Sequence, residues 1–206
     1  MSKENPTALE RFIWGIIPEN PIFRQVLGTC PALAVSTDIK AALTMTCATA
    51  FVLICANTII SLIRHLLKPH LRIVVFVLTI ASFVTIVDYL LAAFYYSMSL
   101  QLGPYVPLII VNCIIICRCE VCASKQSVGV AISDAIGQSL GFGLALVSMA
   151  SFREILGSGT WCGFRIMPDS WPNWVLMLLP PGAFFVFGFL IGAVNWFTSL
   201  KKNKSS

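Results

Sequence analysis

Apolar residues crowd into four long stretches, 41–63, 73–97, 128–152 and 175–200, none of which holds a lysine or arginine. Each is long enough for a helix to cross a hydrocarbon core of about 30 Å, which takes roughly 20 residues. Two shorter apolar stretches lie between charged residues: 26–37, after Arg24 and before Asp38, and 104–117, which ends at Arg118. As helices rising about 1.5 Å per residue, these two would reach only half-way across. The pattern predicts an all-α integral membrane protein of six membrane segments, with half helices as segments 1 and 4.

The two short segments open a weak internal repeat. Pro21 and Cys30 are nine positions apart, as are Pro104 and Cys113. After each short segment come a polar turn, a long span ending in an arginine (Ile63-Arg64 and Phe152-Arg153), a loop and another long span. Three crossings per unit force the second copy to run opposite to the first, so the halves would be two inverted three-helix repeats. The expected organisation is a cytoplasmic interfacial helix over 1–20, with Asn5 as its cap and Pro6 in its first turn, repeats at 21–97 and 98–200, and a basic tail at 201–206.

Composition sharpens this picture. The chain is 57% hydrophobic and 11% charged, with mean hydropathy +0.85, against about 25% charged in ordinary soluble domains. If every segment crosses, one side carries eleven of the fourteen Lys and Arg residues, and Lys40, Arg153 and Arg165 lie on the other. That bias places both termini in the cytoplasm. The net charge of +5 then reports topology and contact with anionic lipid, and nucleic acid is not an expected partner. Around Lys3, Glu4, Glu10 and Arg11 no removable signal peptide is evident.

Candidate chemistry centres on cysteine, of which there are eight. Short segments at matching positions of inverted halves point to a site near the bilayer midplane, and Cys30 and Cys113 hold those positions. In LGTCPALAV, Pro31 is suited to begin a helix with Cys30 at its start, where free N–H groups favour a thiolate. Two thiolates facing one point suit a soft metal or an iron–sulfur cluster, and equally a disulfide. Cys47, Cys55 and Cys162 read as packing. In VNCIIICRCEVCASK, Cys117, Cys119 and Cys122 join Cys113, but on a continuous helix Cys119 points away from Cys113 and Cys117, so four thiols would converge only if the helix broke at Arg118. Asp88 and Asp134, in or near spans, and Asn112 are candidates for an ion path. His65 and His70 read as interfacial charge, and Gly137-x3-Gly141 and Gly188-x3-Gly192 as close-packing positions.

NPIFRQVLGTCPALAV, ANTIISLIR, LRIVVFVLTIASFVTIVD, VPLIIVNCIII, the ASK that follows, FREILGSGT and LPPGAF resemble, in order and spacing across residues 20–197, the E subunit of the Rnf electron-transport complex. That family is homologous to the D subunit of the sodium-translocating NADH:quinone oxidoreductase. The resemblance implies two inverted triplets and a homologous partner of opposite topology, the Rnf A subunit. It further implies one [2Fe-2S] cluster shared between the two, with Cys30 and Cys113 as this chain's ligands and two more from the partner. Where the family reads Gly-Arg-Ala-Glu-Ala-Phe after its Asn-Cys motif, this chain has Cys117, Arg118, Cys119, Glu120, Val121 and Cys122, so the extra cysteines match no general ligand position.

The implied function is that of an electron-carrying subunit, inactive alone, in a prokaryotic cell-membrane complex that oxidises ferredoxin, reduces NAD+ and moves Na+ or H+, alongside the B, C, D and G subunits. Rocking of the inverted halves would give alternating access. Two rivals stand beside it: a stand-alone secondary transporter, which an inverted repeat also permits, and a membrane thiol-disulfide oxidoreductase.

Overall fold

The computed structural model describes Phe12 and residues 20–65, 67–161, 164–165 and 174–203. In chain order it contains α1 (Thr29–Val35), α2 (Ile39–Ile63), a 3-10 turn (Pro69–Leu71), α3 (Arg72–Phe94), α4 (Tyr96–Leu102) and α5 (Pro107–Ile110). These are followed by α6 (Cys113–Arg118), which continues into a π-helical turn (Cys119–Ala123), then α7 (Val128–Ser158), a short antiparallel pair β1 (Thr160–Trp161) and β2 (Phe164–Arg165), α8 (Val175–Leu178) and α9 (Pro180–Asn203).

Among the described residues, four helices are long and apolar enough to cross a membrane: Ile39–Ile63, Arg72–Phe94, Val128–Ser158 and Pro180–Leu200. A fifth crossing results if Tyr96–Tyr105 and Pro107–Ala123, bent by 52° at their junction, form one broken span. The four long stretches expected from hydropathy are therefore present. Their edges differ for local reasons. The third expected segment stops at Tyr95, whose φ of −134° and ψ of 64° separate α3 from α4. The last is interrupted by Pro180 and Pro181, which have no N–H to continue the ladder from α8. The first half helix is shorter than 26–37, because Gly28 at φ 74° precedes its first turn.

The fourth segment departs most from expectation. It breaks at Val111–Asn112, restarts at Cys113 and runs beyond residue 117 to Ala123. Arg118, expected to end it at the aqueous boundary, is instead 4% exposed and paired with Asp134. With its charge compensated inside the protein, the helix has no need to stop there.

The core is organised around α2 and α7, which form the largest helix–helix contact. Ile39 meets Glu154, Thr46 meets Gly143, and Ser61 meets Gln126 just before α7 begins, in reverse sequence order, so the helices run antiparallel. Val52, Leu53, Ala56, Ala145, Leu146 and Met149 are fully buried in these two helices. Of the small-residue positions, Gly137 faces the Phe12 backbone, where an added Cβ would lie 2.6 Å from the Phe12 carbonyl oxygen, while Gly188 and Gly192 have nothing within 4 Å. The rest of the interfacial helix expected over 1–20 lies outside the described residues, Phe12 and Asn20 excepted.

The Thr46 methyl occupies the space into which a Cβ on Gly143 would project. Gly143→Ala is therefore expected to destabilise the chain by about 1–3 kcal/mol. Adding Thr46→Ser, which deletes that methyl, should recover most of the loss. Thermal unfolding of the detergent-solubilised single and double variants checks the coupling.

Candidate functional site

The two short helices meet end to end. Residues 20–28 approach α1 in an irregular path that Asn20 organises: its Oδ1 accepts the N–H groups of Ile22 and Phe23, both at 3.1 Å, and its Nδ2 donates to the Gly141 carbonyl of α7 at 3.0 Å. Val26 has φ 55°, a left-handed conformation that costs a β-branched residue on the order of 1–3 kcal/mol. Gly28 follows in the same region, at φ 74°. This path turns the Gly28 N–H onto the Sγ of Cys113, 2.9 Å away.

A side chain at Gly28 is excluded by space as well as by conformation, since an added Cβ would lie 2.6 Å from Ile114 Cδ1 and 3.2 Å from Phe142 Cε2. Phe142 is the fifteenth of the 31 residues of α7, so the Gly28–Cys113 contact is level with the middle of the longest helix. Cys30, in the first turn of α1, is exposed, and Cys113, the first residue of α6, is half-buried. Asn112 caps α6 by accepting the Ile114 N–H at 3.2 Å. Its Nδ2, in a residue only 1% exposed, has no hydrogen-bond partner among the described residues.

The other cysteines do not gather here. Cys119 and Cys122 are buried, and the Cys119 thiol donates to Asn57 Oδ1 on α2 at 3.4 Å. Cys117 is half-buried beside Phe76 and Ile116, in a groove between α3 and α6. Among the described residues, no three His, Cys, Asp or Glu side chains come together to hold a metal ion. Cys162 lies outside the described residues.

The three ion-path candidates are dispersed. Asp134 is 1% exposed, and one of its oxygens is 3.4 Å from Arg118 Nη1. Asn112 lies at the α6 start, and Asp88 is exposed on α3 among Thr85, Ile86, Tyr89 and Leu90, on the surface of the chain. The residues that sequence reasoning passes over are those joining distant segments. They include Asn20 and the Cys119 partner Asn57, and the pairing of Arg118 with Asp134 is missed likewise; also passed over is Gln138, which is fully buried with both amide groups lacking a partner among the described residues. A polar side chain inside an apolar stretch is the available signal for Asn57 and Gln138.

Several known proteins are similar to this chain. Residues 8–191 match the family described as "Rnf-Nqr subunit, membrane protein". The E subunit of the Na(+)-translocating ferredoxin:NAD(+) oxidoreductase complex of Acetobacterium woodii is 47% identical over 184 residues, covering 89% of this chain and 94% of that protein. The D subunit of the Na(+)-translocating NADH-quinone reductase of Aeromonas hydrophila is 44% identical over 186 residues, covering 87% and 88%. The D subunit of the same reductase from Photobacterium profundum is 45% identical over 185 residues, again covering 87% and 88%.

Substitutions at the helix junction and at the buried ion pair should be costly in different ways. Gly28→Ala combines a strained backbone with overlap at Ile114, so it should destabilise the chain by about 2–4 kcal/mol, whereas Val26→Gly, which relieves strain, should not lower the melting temperature. Asp134→Asn removes the buried counter-charge of Arg118 and should cost about 3–5 kcal/mol, while the apolar pair Arg118→Met with Asp134→Leu should cost far less. Urea unfolding in mild detergent ranks these variants.

Proposed function

The chain belongs to the Rnf-Nqr family of membrane subunits, and from that premise we propose that it is an electron-carrying, E-type subunit of an ion-translocating ferredoxin:NAD+ oxidoreductase. Identity slightly higher to the ferredoxin-linked E subunit than to the quinone-reductase D subunits favours this assignment within the family. The observation that carries the reading is the 2.9 Å contact from the Gly28 N–H to the Cys113 thiol. It joins the starts of two interrupted helices, each bearing a cysteine, at the level of the middle of α7.

In this reading Cys30 and Cys113 supply two thiolates to a [2Fe-2S] cluster, and a homologous chain of opposite topology, the Rnf A subunit, supplies two more. The donor set fits: two cysteines, one of them exposed, are half of what such a cluster requires. When bound, the cluster supplies one-electron chemistry that divides a barrier of roughly 30 Å into two shorter hops.

The chain's own residues then have definite tasks. The Gly28 N–H is a hydrogen-bond donor to the Cys113 sulfur, the interaction through which proteins tune the potential of such centres. Asn112 fixes the first turn of α6, and Asn20 ties the approach to α1 to α7. Ile114 and Phe142 cover the inner side of the contact and exclude water. The two triplets are inverted copies, and electron transfer is coupled to movement of Na+ or H+. Asp134 and Asn112 serve that movement from inside the chain, and Asp88 serves it from the surface. The complex spans the cell membrane with both termini of this chain in the cytoplasm.

Co-expression with the A-type partner, followed by absorption and EPR spectroscopy, tests the assignment. Cys30→Ala and Cys113→Ala should each abolish the iron–sulfur signal, and Cys117→Ala should leave it intact. A signal that survives both ligand substitutions would refute the site.

A further inference from the structure

Arg153 is 3% exposed, lies on α7 and meets oxygens of hydroxyl and carbonyl groups in place of a carboxylate. Nε donates to the Met177 carbonyl at 3.0 Å, Nη1 to Ser36 Oγ at 2.7 Å and the Leu33 carbonyl at 3.3 Å, and Nη2 to the carbonyls of Leu178 at 3.0 Å and Leu179 at 3.4 Å. All five of its N–H groups are engaged in this way.

These acceptors have a common origin. Leu33 and Ser36 are at the C-terminal end of α1, and Met177, Leu178 and Leu179 are at the end of α8. Met177 would hydrogen-bond residue 181 in a continuous helix, but that residue is Pro181. The Gly182 N–H bonds Leu179 rather than Leu178, which leaves the Leu178 carbonyl to Arg153 as well. Two helix C-termini, both carrying partial negative charge, thus converge on one fixed cation. The neighbouring Glu154 does the converse, since its Oε2 accepts the Ile39 N–H at the start of α2. Adjacent residues of α7 therefore hold both sides of the turn between α1 and α2.

We propose that Arg153 is the positioning residue for Cys30. A helix as short as α1, seven residues, is not stable by itself and takes its orientation from what holds its ends. Gly28 holds one end against Cys113, and Arg153 holds the other, one helical turn beyond Cys30. Arg153 acts as a built-in cation for a cage of oxygens that broken helices leave behind, and the direction in which Cys30 is presented follows from it. The role of Cys30 as a ligand rests on the function proposed above; its placement by Arg153 does not.

The test separates the two. In membranes containing the full chain without its partner, the alkylation rate of Cys30 by a membrane-permeant maleimide is read by mass spectrometry of the peptide containing it. Arg153→Ala should change that rate by about tenfold, because charge-assisted hydrogen bonds to the end of α1 are lost. Guanidinium chloride at a non-denaturing concentration should restore it, and methylammonium, which cannot span the cage, should not. Arg153→Lys, which keeps the charge and is the variant to use if the alanine form fails to accumulate, should show an intermediate rate. Ser36→Ala removes a single acceptor and should shift the rate by a smaller factor in the same direction. Cys30 reactivity unchanged in Arg153→Lys and Ser36→Ala, or an altered rate in Arg153→Ala that guanidinium fails to restore, overturns the proposal. In the co-expressed complex, Arg153→Lys should also shift the midpoint potential or EPR line shape of the iron–sulfur centre. If the unsubstituted complex carries no such centre, the ligand reading fails while the alkylation result still decides the role of Arg153.

Discussion

A helix interrupted within an apolar layer leaves backbone groups that lipid cannot satisfy, and this chain interrupts its helices repeatedly. The breaks before α1 and between α8 and α9 are tolerable because α7 lies alongside and supplies partners, and the break before α6 is closed by Asn112, whose Oδ1 accepts the Ile114 N–H. The Gly141 carbonyl receives Asn20, Asp134 compensates Arg118, Glu154 caps α2, and Arg153 collects the loose carbonyls of α1 and α8. The tight α2–α7 contact at Thr46 and Gly143 is what keeps that scaffold in register. Polar side chains are expensive in such a helix, and here Arg153 and Glu154 bond the backbone of other segments.

This arrangement explains what can be read from the sequence. Hydropathy and length are enough for the long spans, because a run of apolar residues has few alternatives at that depth. The equal spacing of Pro21–Cys30 and Pro104–Cys113 is enough to point to two helix starts, those of α1 and α6, because breaks must be built into the chain locally, by proline and glycine. What escapes is the set of ties across the chain. Arg153 and Ser36 are 117 positions apart, and Asn20 and Gly141 are 121 apart, so no local pattern connects them. Arg118 looks like a boundary residue because a lone arginine after an apolar run normally marks the interface. Only the fold brings Asp134, sixteen residues on, to its side. Asp88 is the converse case: a carboxylate inside a span that the fold leaves on the outside.

The cysteine-rich stretch from Cys113 to Cys122 shows how one segment can serve two purposes. At its first residue the chain is irregular, polar and close to another helix end. Farther along, the same segment is ordinary core, with Cys119 against Asn57 and Cys122 buried. The π-helical turn at Cys119–Ala123 changes the direction of these side chains relative to an unbroken α-helix, yet it carries them into the protein and away from Cys113.

The donor to Cys113 belongs to the main chain, and that has a consequence for how the family can vary. A side-chain donor can be lost or exchanged by a single codon change, whereas an amide N–H persists through every substitution except proline. Evolution can therefore adjust the surroundings of this sulfur only indirectly, by altering the bulk at positions such as Ile114 and Phe142 that set how closely Gly28 approaches. Drift at position 28 is closed off by geometry, and inherited variation is pushed outward, onto residues that never touch the sulfur at all.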